Sequence, residues 1–99
     1  MWQNPVEELL KVLSHLEQID DALESGEADL QHLENSLIEA QDKFLKGEQF
    51  MRVATRLFTI EQAENFIRQR RTQVRDRLGF LERRKQFLLE KRQKITDSM

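Results

Sequence analysis

A seven-residue repeat of apolar side chains runs through most of this chain and limits what the chain can fold into. In the first half the repeat consists of two rows, offset from each other by three residues. The first row is Leu9, Leu16, Leu23, Leu30, Leu37 and Phe44, and the second row is Val12, Ile19, Gly26, Leu33 and Ala40. Rows with this spacing lie along one face of a helix that packs against another helix. The repeat therefore predicts a long coiled-coil helix.

The first helix is predicted to span residues 5–46. Asn4 and Pro5 form a typical helix start, because Asn caps free N–H groups and Pro fits the first helical position. The pair Ser25-Gly26 is typical of a helix stop, and a turn there would produce a three-helix bundle. A turn normally shifts the heptad phase, whereas here the phase continues unchanged through Gly26. We therefore favour one continuous helix.

A second helix is predicted over residues 60–97. Thr59 and Gln62 have the spacing of a capping box, in which each residue satisfies the other's backbone N–H. An apolar row again repeats every seven residues: Ile60, Ile67, Val74, Leu81, Leu88 and Ile95. A basic row repeats beside it: Arg70, Arg77, Arg84 and Lys91. A plain coiled-coil seam would have apolar residues in that second row.

An antiparallel hairpin of the two helices accounts for the basic row. When residues whose numbers sum to 104 are paired, the two leucine-rich rows meet along the whole length of the helices. The same pairing predicts three interhelical ion pairs, Asp20–Arg84, Glu27–Arg77 and Glu34–Arg70. A shift of two residues places the large ring of Phe80 against Gly26 and that of Phe87 against Ile19. The fold class is thus an all-α dominated, antiparallel two-helix coiled coil.

Residues 47–59 form a head between the two helices. Gly47 is a typical residue just after a helix end, and two short runs rich in β-forming residues follow, Gln49–Ala54 and Thr55–Thr59. They predict a small β-hairpin, with a short continued helix as the equally supported alternative. An isolated hairpin is marginally stable and its strand edges are free to pair. We therefore expect assembly through the head, by way of Phe50, Met51, Val53, Leu57 and Phe58.

The order of the elements, together with the stretch Phe50-Met51-Arg52-Val53-Ala54-Thr55-Arg56-Leu57, resembles a prefoldin subunit of the β type. That family has an aromatic–x–x–Val–Gly–x–x–apolar signature in its hairpin, and Ala54 stands where glycine is usual. The resemblance implies a hexamer whose hairpins form a β-barrel platform with projecting coiled-coil arms. It also implies an ATP-independent holdase that grips non-native polypeptide with the arm tips.

The client-binding tip is expected where the two ends of the chain meet in an antiparallel hairpin. The apolar residues there exceed what a two-helix seam needs. They are Trp2, Val6, Leu10 and Leu13 in the first helix, and Leu89 and Ile95 in the second. Packing of these residues on each other or on a neighbouring arm is an equally supported role.

Composition argues against an enzyme, a metal site or a bound cofactor. The chain of 99 residues has no cysteine and three glycines, none of them in a phosphate-binding loop. His15 and His32 lie on different faces of one helix without a third ligand. The charged N-terminal start is neither a signal peptide nor a membrane span. These features predict a soluble, cytoplasmic, single-domain protein over residues 1–99.

Two other functions compete with a chaperone. The first is a coiled-coil scaffold or adaptor subunit of a larger protein complex. The second, less favoured, is binding of nucleic acid by the basic run at residues 68–77, RQRRTQVRDR. Residues 47–99 carry thirteen bases and seven acids, but residues 1–46 carry eleven acids and three bases and are available to neutralise them.

Overall fold

The computed structural model describes residues 4–99 and consists of two long helices joined by a β-hairpin. Helix α1 spans Pro5–Leu45, strands β1 and β2 span Phe50–Val53 and Arg56–Thr59, and helix α2 spans Ile60–Asp97. The predicted fold class, dominated by α-helices, is confirmed, and so is the predicted order of helix, hairpin and helix. The antiparallel strand pair also decides between the two alternatives for the head in favour of the β-hairpin. Trp2 lies outside the described residues.

Side-chain hydrogen bonds cap the starts of both helices, at the residues that the sequence indicates. The Asn4 side-chain oxygen accepts a hydrogen bond from the N–H of Val6 at 3.0 Å. The Thr59 hydroxyl accepts one from the N–H of Gln62, whose side-chain oxygen accepts one from the N–H of Thr59, both at 3.2 Å. This reciprocal pair is a capping box, and it starts α2 directly after the second strand.

Helix α1 ends in a Schellman motif centred on Gly47. The N–H of Gly47 donates to the carbonyl of Phe44, and the N–H of Glu48 donates to the carbonyl of Lys43, each at 3.0 Å. Gly47 has a φ of +81°, in the left-handed region that this motif requires and that glycine adopts without strain. The motif satisfies carbonyl groups at the helix end and turns the chain toward the hairpin.

Helix α1 runs without a break through Ser25-Gly26, which makes the three-helix bundle wrong. The structure also shows why a glycine is found there. A Cβ placed on Gly26 would lie 2.6 Å from Cδ2 of Leu78, so the Leu78 side chain fills the space beside the glycine. The prediction that Phe80 occupies this space was therefore wrong, and Phe80 is 60% exposed.

The chain divides into two compact units. The first contains α1 up to Gly26 and α2 from Arg77 onward, and the second contains Glu27–Asp76. In the first unit the two helical segments enclose one cluster of buried apolar side chains. Its members are Val12, Leu16, Ile19, Leu23 and Leu88, with Leu78, Leu81, Leu89 and Ile95 packed against them. The assignment of residues 1–99 to a single domain stays a prediction, because compactness alone does not define a folding unit.

In the second unit the hairpin packs on the helices through small residues. Leu37, Ile67 and Val74 are buried between the helices as the heptad pattern predicts. Next to the hairpin, Met51 packs in a cluster with the fully buried Ala40 and Ala63 and with Ile60. The alanines leave room for the Met51 side chain.

The heptad pattern predicts the wrong environment for its last residue, Phe44. The pattern places this residue in the seam, but its side chain is 68% exposed. Helix α1 ends one residue later, at Leu45. Because Met51 of the hairpin joins the buried cluster at this end of the helices, the apolar contact expected of Phe44 is supplied from the hairpin instead.

The ion pair predicted between Asp20 and Arg84 was wrong in its basic partner. Asp20 lies 2.7 Å from Nζ of Lys85 instead. The Asp20 carboxylate accepts a hydrogen bond from this ammonium group, and that bond together with its charge raises the pKa of Lys85 above its ordinary value. The acidic residue was therefore identified correctly, and its partner is the next residue along α2.

The ion pair predicted between Glu34 and Arg70 was wrong in the same way. Glu34 lies 3.5 Å from Nη1 of Arg71 and 3.1 Å from Nη2 of Arg75. Arg70 instead donates a hydrogen bond to Gln73 on its own helix, at 3.2 Å. Glu34 thus bridges two arginines one helical turn apart.

The physical reason for both corrections is the rotation of α2 about its axis. The residues beside the seam follow each apolar heptad residue by four positions and are half-buried: Arg71, Leu78 and Lys85. The predicted row follows the heptad residues by three positions and is exposed: Arg70, Arg77 and Arg84. Successive helical residues differ by about 100°, so one residue decides which row faces α1. Glu27 and Arg77 belong to different compact units, and their pairing stays a prediction.

Candidate functional site

The β-hairpin has one face turned toward its own unit and one face turned away. Met51 lies opposite Phe58, whereas Phe50 lies opposite Thr59 and Arg52 lies opposite Leu57. Side chains alternate between the two faces of a strand, so Met51 and Phe58 share the inner face. The outer face therefore presents Phe50 and Leu57, and Leu57 is 62% exposed. We call these two residues, with Phe44 and Leu45 at the end of α1, the head surface.

Two of the five residues predicted to assemble the head, Phe50 and Leu57, are exposed. Met51 is buried, and Val53 and Phe58 pack against the same cluster of their own unit. The ring of Phe58 also stacks on Phe66, with ring centroids 5.3 Å apart. The alternation of strand residues could have separated Phe50 and Leu57 from the others once a β-hairpin was assumed.

Two exposed apolar residues of the head surface were missed by the sequence reasoning. Phe44 and Leu45 end α1, and both side chains are largely exposed. Phe44 lines a surface cleft together with Gln49, Thr59 and Ile60, at the junction of helix, loop and hairpin. No sequence signal identified Phe44, because its heptad position predicts burial.

The strand edges of the hairpin add a second kind of contact. The described residues contain one sheet, formed by β1 and β2 alone. Each strand of a two-stranded sheet has one edge without a partner strand, and its backbone N–H and C=O groups are free to pair with another chain. The head thus combines exposed apolar side chains with unpaired backbone groups.

Apart from Trp2, which lies outside the described residues, the predicted tip residues lie in the first unit, but they differ in exposure. Val6, Leu10 and Leu13 are exposed, and their spacing of four and three residues places them on one stripe of α1. Leu10 is 59% exposed. Leu89 and Ile95 are half-buried and pack against the core of the unit. Val6, Leu10 and Leu13 are called the tip surface from here on.

The basic run at residues 68–77 is partly neutralised by acidic side chains of its own unit. Arg71 and Arg75 pair with Glu34, and Arg68 lies 4.0 Å from Glu64 one turn earlier on α2. Three of the five arginines in the run are therefore within ion-pair distance of a carboxylate. This arrangement weakens the run as a binding surface for phosphate groups.

Neither a metal centre nor a membrane span is found in residues 4–99. No group of three or more His, Asp or Glu side chains in this range is placed to hold a metal ion. None of the described helices combines the length and the apolar character that a membrane crossing requires.

No family model, curated protein or solved structure matches the chain. Two long helices that pack antiparallel and are joined by a β-hairpin nevertheless constitute a prefoldin-β-like architecture. The function must therefore be argued from the head surface and the tip surface themselves.

Proposed function

We propose that this protein is a subunit of an ATP-independent, cytoplasmic chaperone that holds non-native polypeptide. In this proposal the head surface joins subunits, with a hexamer as the assembly that the prefoldin resemblance implies. The tip surface contacts the client. Trp2 is included as a further client contact on sequence grounds alone.

The observation that carries the proposal is the exposure of Val6, Leu10 and Leu13 on one stripe of α1. The neighbouring residues Val12 and Leu16 already supply the buried seam of that unit, so the exposed stripe is not needed to hold the two helices together. Non-native polypeptides present apolar side chains with little fixed shape. An exposed apolar stripe suits such a ligand better than a shaped pocket does.

Assembly through the head would raise the overall affinity of the tip surface for a client. Three exposed aliphatic side chains bury little area and bind weakly on their own. Several copies joined through their heads would contact one client at several points, and this multivalency raises the overall affinity without any new kind of contact. The proposal therefore assigns distinct roles to the two exposed surfaces.

The test is suppression of aggregation of a chemically denatured model enzyme, followed by light scattering without ATP. We expect the full chain to suppress aggregation at stoichiometric amounts. The triple variant Val6→Ser, Leu10→Ser, Leu13→Ser should lose most of this suppression while its helix content and assembly stay unchanged. Ile38→Ser, which removes an exposed apolar residue of α1 in the other unit, is the matched control and should suppress aggregation as the natural chain does.

Two results would contradict the chaperone proposal. If the full chain never suppresses aggregation, the holdase function is wrong and the coiled-coil adaptor takes its place. If the triple variant suppresses aggregation as well as the natural chain, the tip surface is not the client site. The adaptor is supported by exposed phenylalanines at heptad spacing on α2, Phe80 and Phe87.

A further inference from the structure

Two rows on α2 repeat every seven residues but contribute no side chain to the buried seam with α1. In the first unit these rows are Arg77, Arg84 and Lys91, and Phe80 and Phe87. Phe80 is 60% exposed and Phe87 is 53% exposed. The hairpin uses one member of these rows, Lys91, in an ion pair with Glu8 of α1. The heptad spacing of the two phenylalanines is typical of a helix that packs on another helix, and both rings are exposed in the hairpin. We call these five residues the aromatic flank.

A groove with an apolar floor runs beside the aromatic flank. It is formed within the first unit by α1 and α2, and Ile19, Ala22, Leu81 and Leu88 line its floor. His15 and Arg84 border this part of the groove and also its continuation toward the start of α1. Phe87 and Lys91 border that continuation from α2, and Glu7, Glu8 and Lys11 border it from α1. The lining of the groove beside Ile19 and Leu81 contains no carboxylate, whereas its continuation carries charges of both signs.

Arg84 has no acidic partner among the described residues of its own unit. Among the ion pairs of residues 4–99, Lys91 is paired with Glu8 at 3.6 Å, while Arg84 forms none. The guanidinium of Arg84 lies over the ring of Phe87, 5.1 Å from its centroid. Asp20, which was predicted to pair with Arg84, is paired with Lys85 instead. The guanidinium of Arg84 is thus free to pair with an acidic group of a partner.

We propose that the aromatic flank and its groove are a docking site for an acidic amphipathic helix of a partner protein. The apolar stripe of that helix would cover Phe80, Phe87 and the groove floor, and a carboxylate beside the stripe would pair with Arg84. This is the helix-in-groove mode of recognition, in which residues spaced by three and four positions anchor the bound helix. The flank lies on a different part of α2 from the residues that contact the seam, so docking leaves the hairpin intact.

The spacing of the flank favours a helix over a nucleic acid strand. Seven residues of a helix advance about 10 Å, so the aromatic rings recur at about that interval. Along one strand of a duplex a phosphate occurs about every 3.4 Å of helix axis, and bases stack on aromatic side chains in close succession. The period of the flank matches another heptad helix instead, and its apolar groove floor offers no partner for a phosphate.

The probe is a labelled synthetic helix of four heptads with Leu in the seam and Glu in the flanking positions. A second peptide carries Lys in place of each Glu. Binding of each peptide to the full chain is measured by fluorescence anisotropy at low and high salt. We expect the acidic peptide to bind at least ten-fold more tightly than the basic one, and more weakly at high salt.

Variants of the chain locate the site. The double variant Phe80→Ser, Phe87→Ser should weaken binding of the acidic peptide at least ten-fold. Arg84→Glu should weaken binding of the acidic peptide and strengthen binding of the basic one, because it exchanges the charge preference. Arg92→Glu, an exposed arginine of the same unit outside the flank, is the matched control and should leave both affinities nearly unchanged. Circular dichroism checks that each variant keeps its helix content.

Three results would overturn the proposal. The first is equal binding of the two peptides, or binding that the phenylalanine variant does not weaken. The second is self-association of the chain that the phenylalanine variant abolishes, which would identify a second copy as the occupant. The third is binding of a uridine homopolymer through Phe87 without binding of the acidic peptide, which would identify the flank as a nucleic-acid site.

Discussion

At the scale of single residues, Ala54 carries backbone strain at the tip of the hairpin. It is the first of the two residues that connect β1 to β2, and its φ is +56°. This is the left-handed region, which costs an L-residue with a Cβ roughly 1–2 kcal/mol and costs glycine almost nothing. The prefoldin signature that the hairpin resembles has glycine at this place. The hairpin forms here despite an unfavourable turn residue.

Ala54→Gly is therefore expected to raise the free energy of unfolding by about 0.5–1 kcal/mol. The relief of strain is partly offset by the greater entropy that glycine gives the unfolded chain. Urea denaturation at a fixed protein concentration measures the change. Thr55→Gly is the matched control, because Ala54 is the non-glycine residue with positive φ among residues 4–99. The control should lower stability by about 0.4–1 kcal/mol. A loss of stability in Ala54→Gly would contradict the account of strain.

At the scale of the elements, α2 shows what a heptad pattern predicts and what it leaves open. The start of α2 was predicted correctly because a cap depends on residues a few positions apart, such as Thr59 and Gln62, whereas α1 ends at Leu45, one residue before its predicted end. The rows beside the seam were predicted one residue away from their observed place. Both candidate rows of α2 are mostly polar, so hydrophobicity distinguishes them poorly, and Leu78, the apolar member of the observed row, packs beside Gly26. That contact joins residues distant in sequence.

The candidate surfaces, like the rotation of α2, depend on contacts between residues distant in sequence. The apolar residues of the head and the start of α1 were identifiable from composition, but which of them are exposed was not. Met51 is buried because Ala40 and Ala63 leave space for it, and this depends on how the hairpin folds back onto the helices. Phe44, at a heptad position, is exposed and takes no part in this cluster. Exposure is a property of the packed structure, whereas the sequence pattern reports only which residues are apolar.

The observed rotation of α2 predicts energetic coupling between Glu34 and Arg71 and none between Glu34 and Arg70. In a double-mutant cycle of Glu34→Gln and Arg71→Met, we expect a coupling energy of about 0.5–1 kcal/mol, because the pair is partly shielded from water. The parallel cycle with Arg70→Met serves as the control and should be additive to within about 0.3 kcal/mol. Urea denaturation at fixed protein concentration gives all the values. Coupling in the Arg70 cycle alone would restore the pairing predicted from the sequence.

At the scale of the whole molecule, the proposed function needs the exposed surfaces to act independently. The tip surface and the aromatic flank belong to the first unit, and the head surface belongs to the second. Each surface consists of residues that the buried clusters do not use. Substitutions on one surface should therefore leave the other surfaces and the fold unchanged, since sites without shared partners contribute additively. This independence makes each proposed role separately testable.

The last prediction concerns assembly through the head. Leu57→Lys places a charge on the outer face of the hairpin, where Leu57 takes no part in the buried cluster of its unit. Burial of an unpaired charge in a subunit contact is costly. This variant should therefore form smaller assemblies than the natural chain, while its helix content stays unchanged. Native mass spectrometry and light scattering measure the assembly, and circular dichroism measures the helix content. Ile38→Lys, an exposed apolar residue on α1 of the same unit, is the matched control and should assemble as the natural chain does. If Leu57→Lys keeps the mass of the natural assembly, or if the natural chain is a single subunit at every concentration, the head is not the assembly surface of this chain.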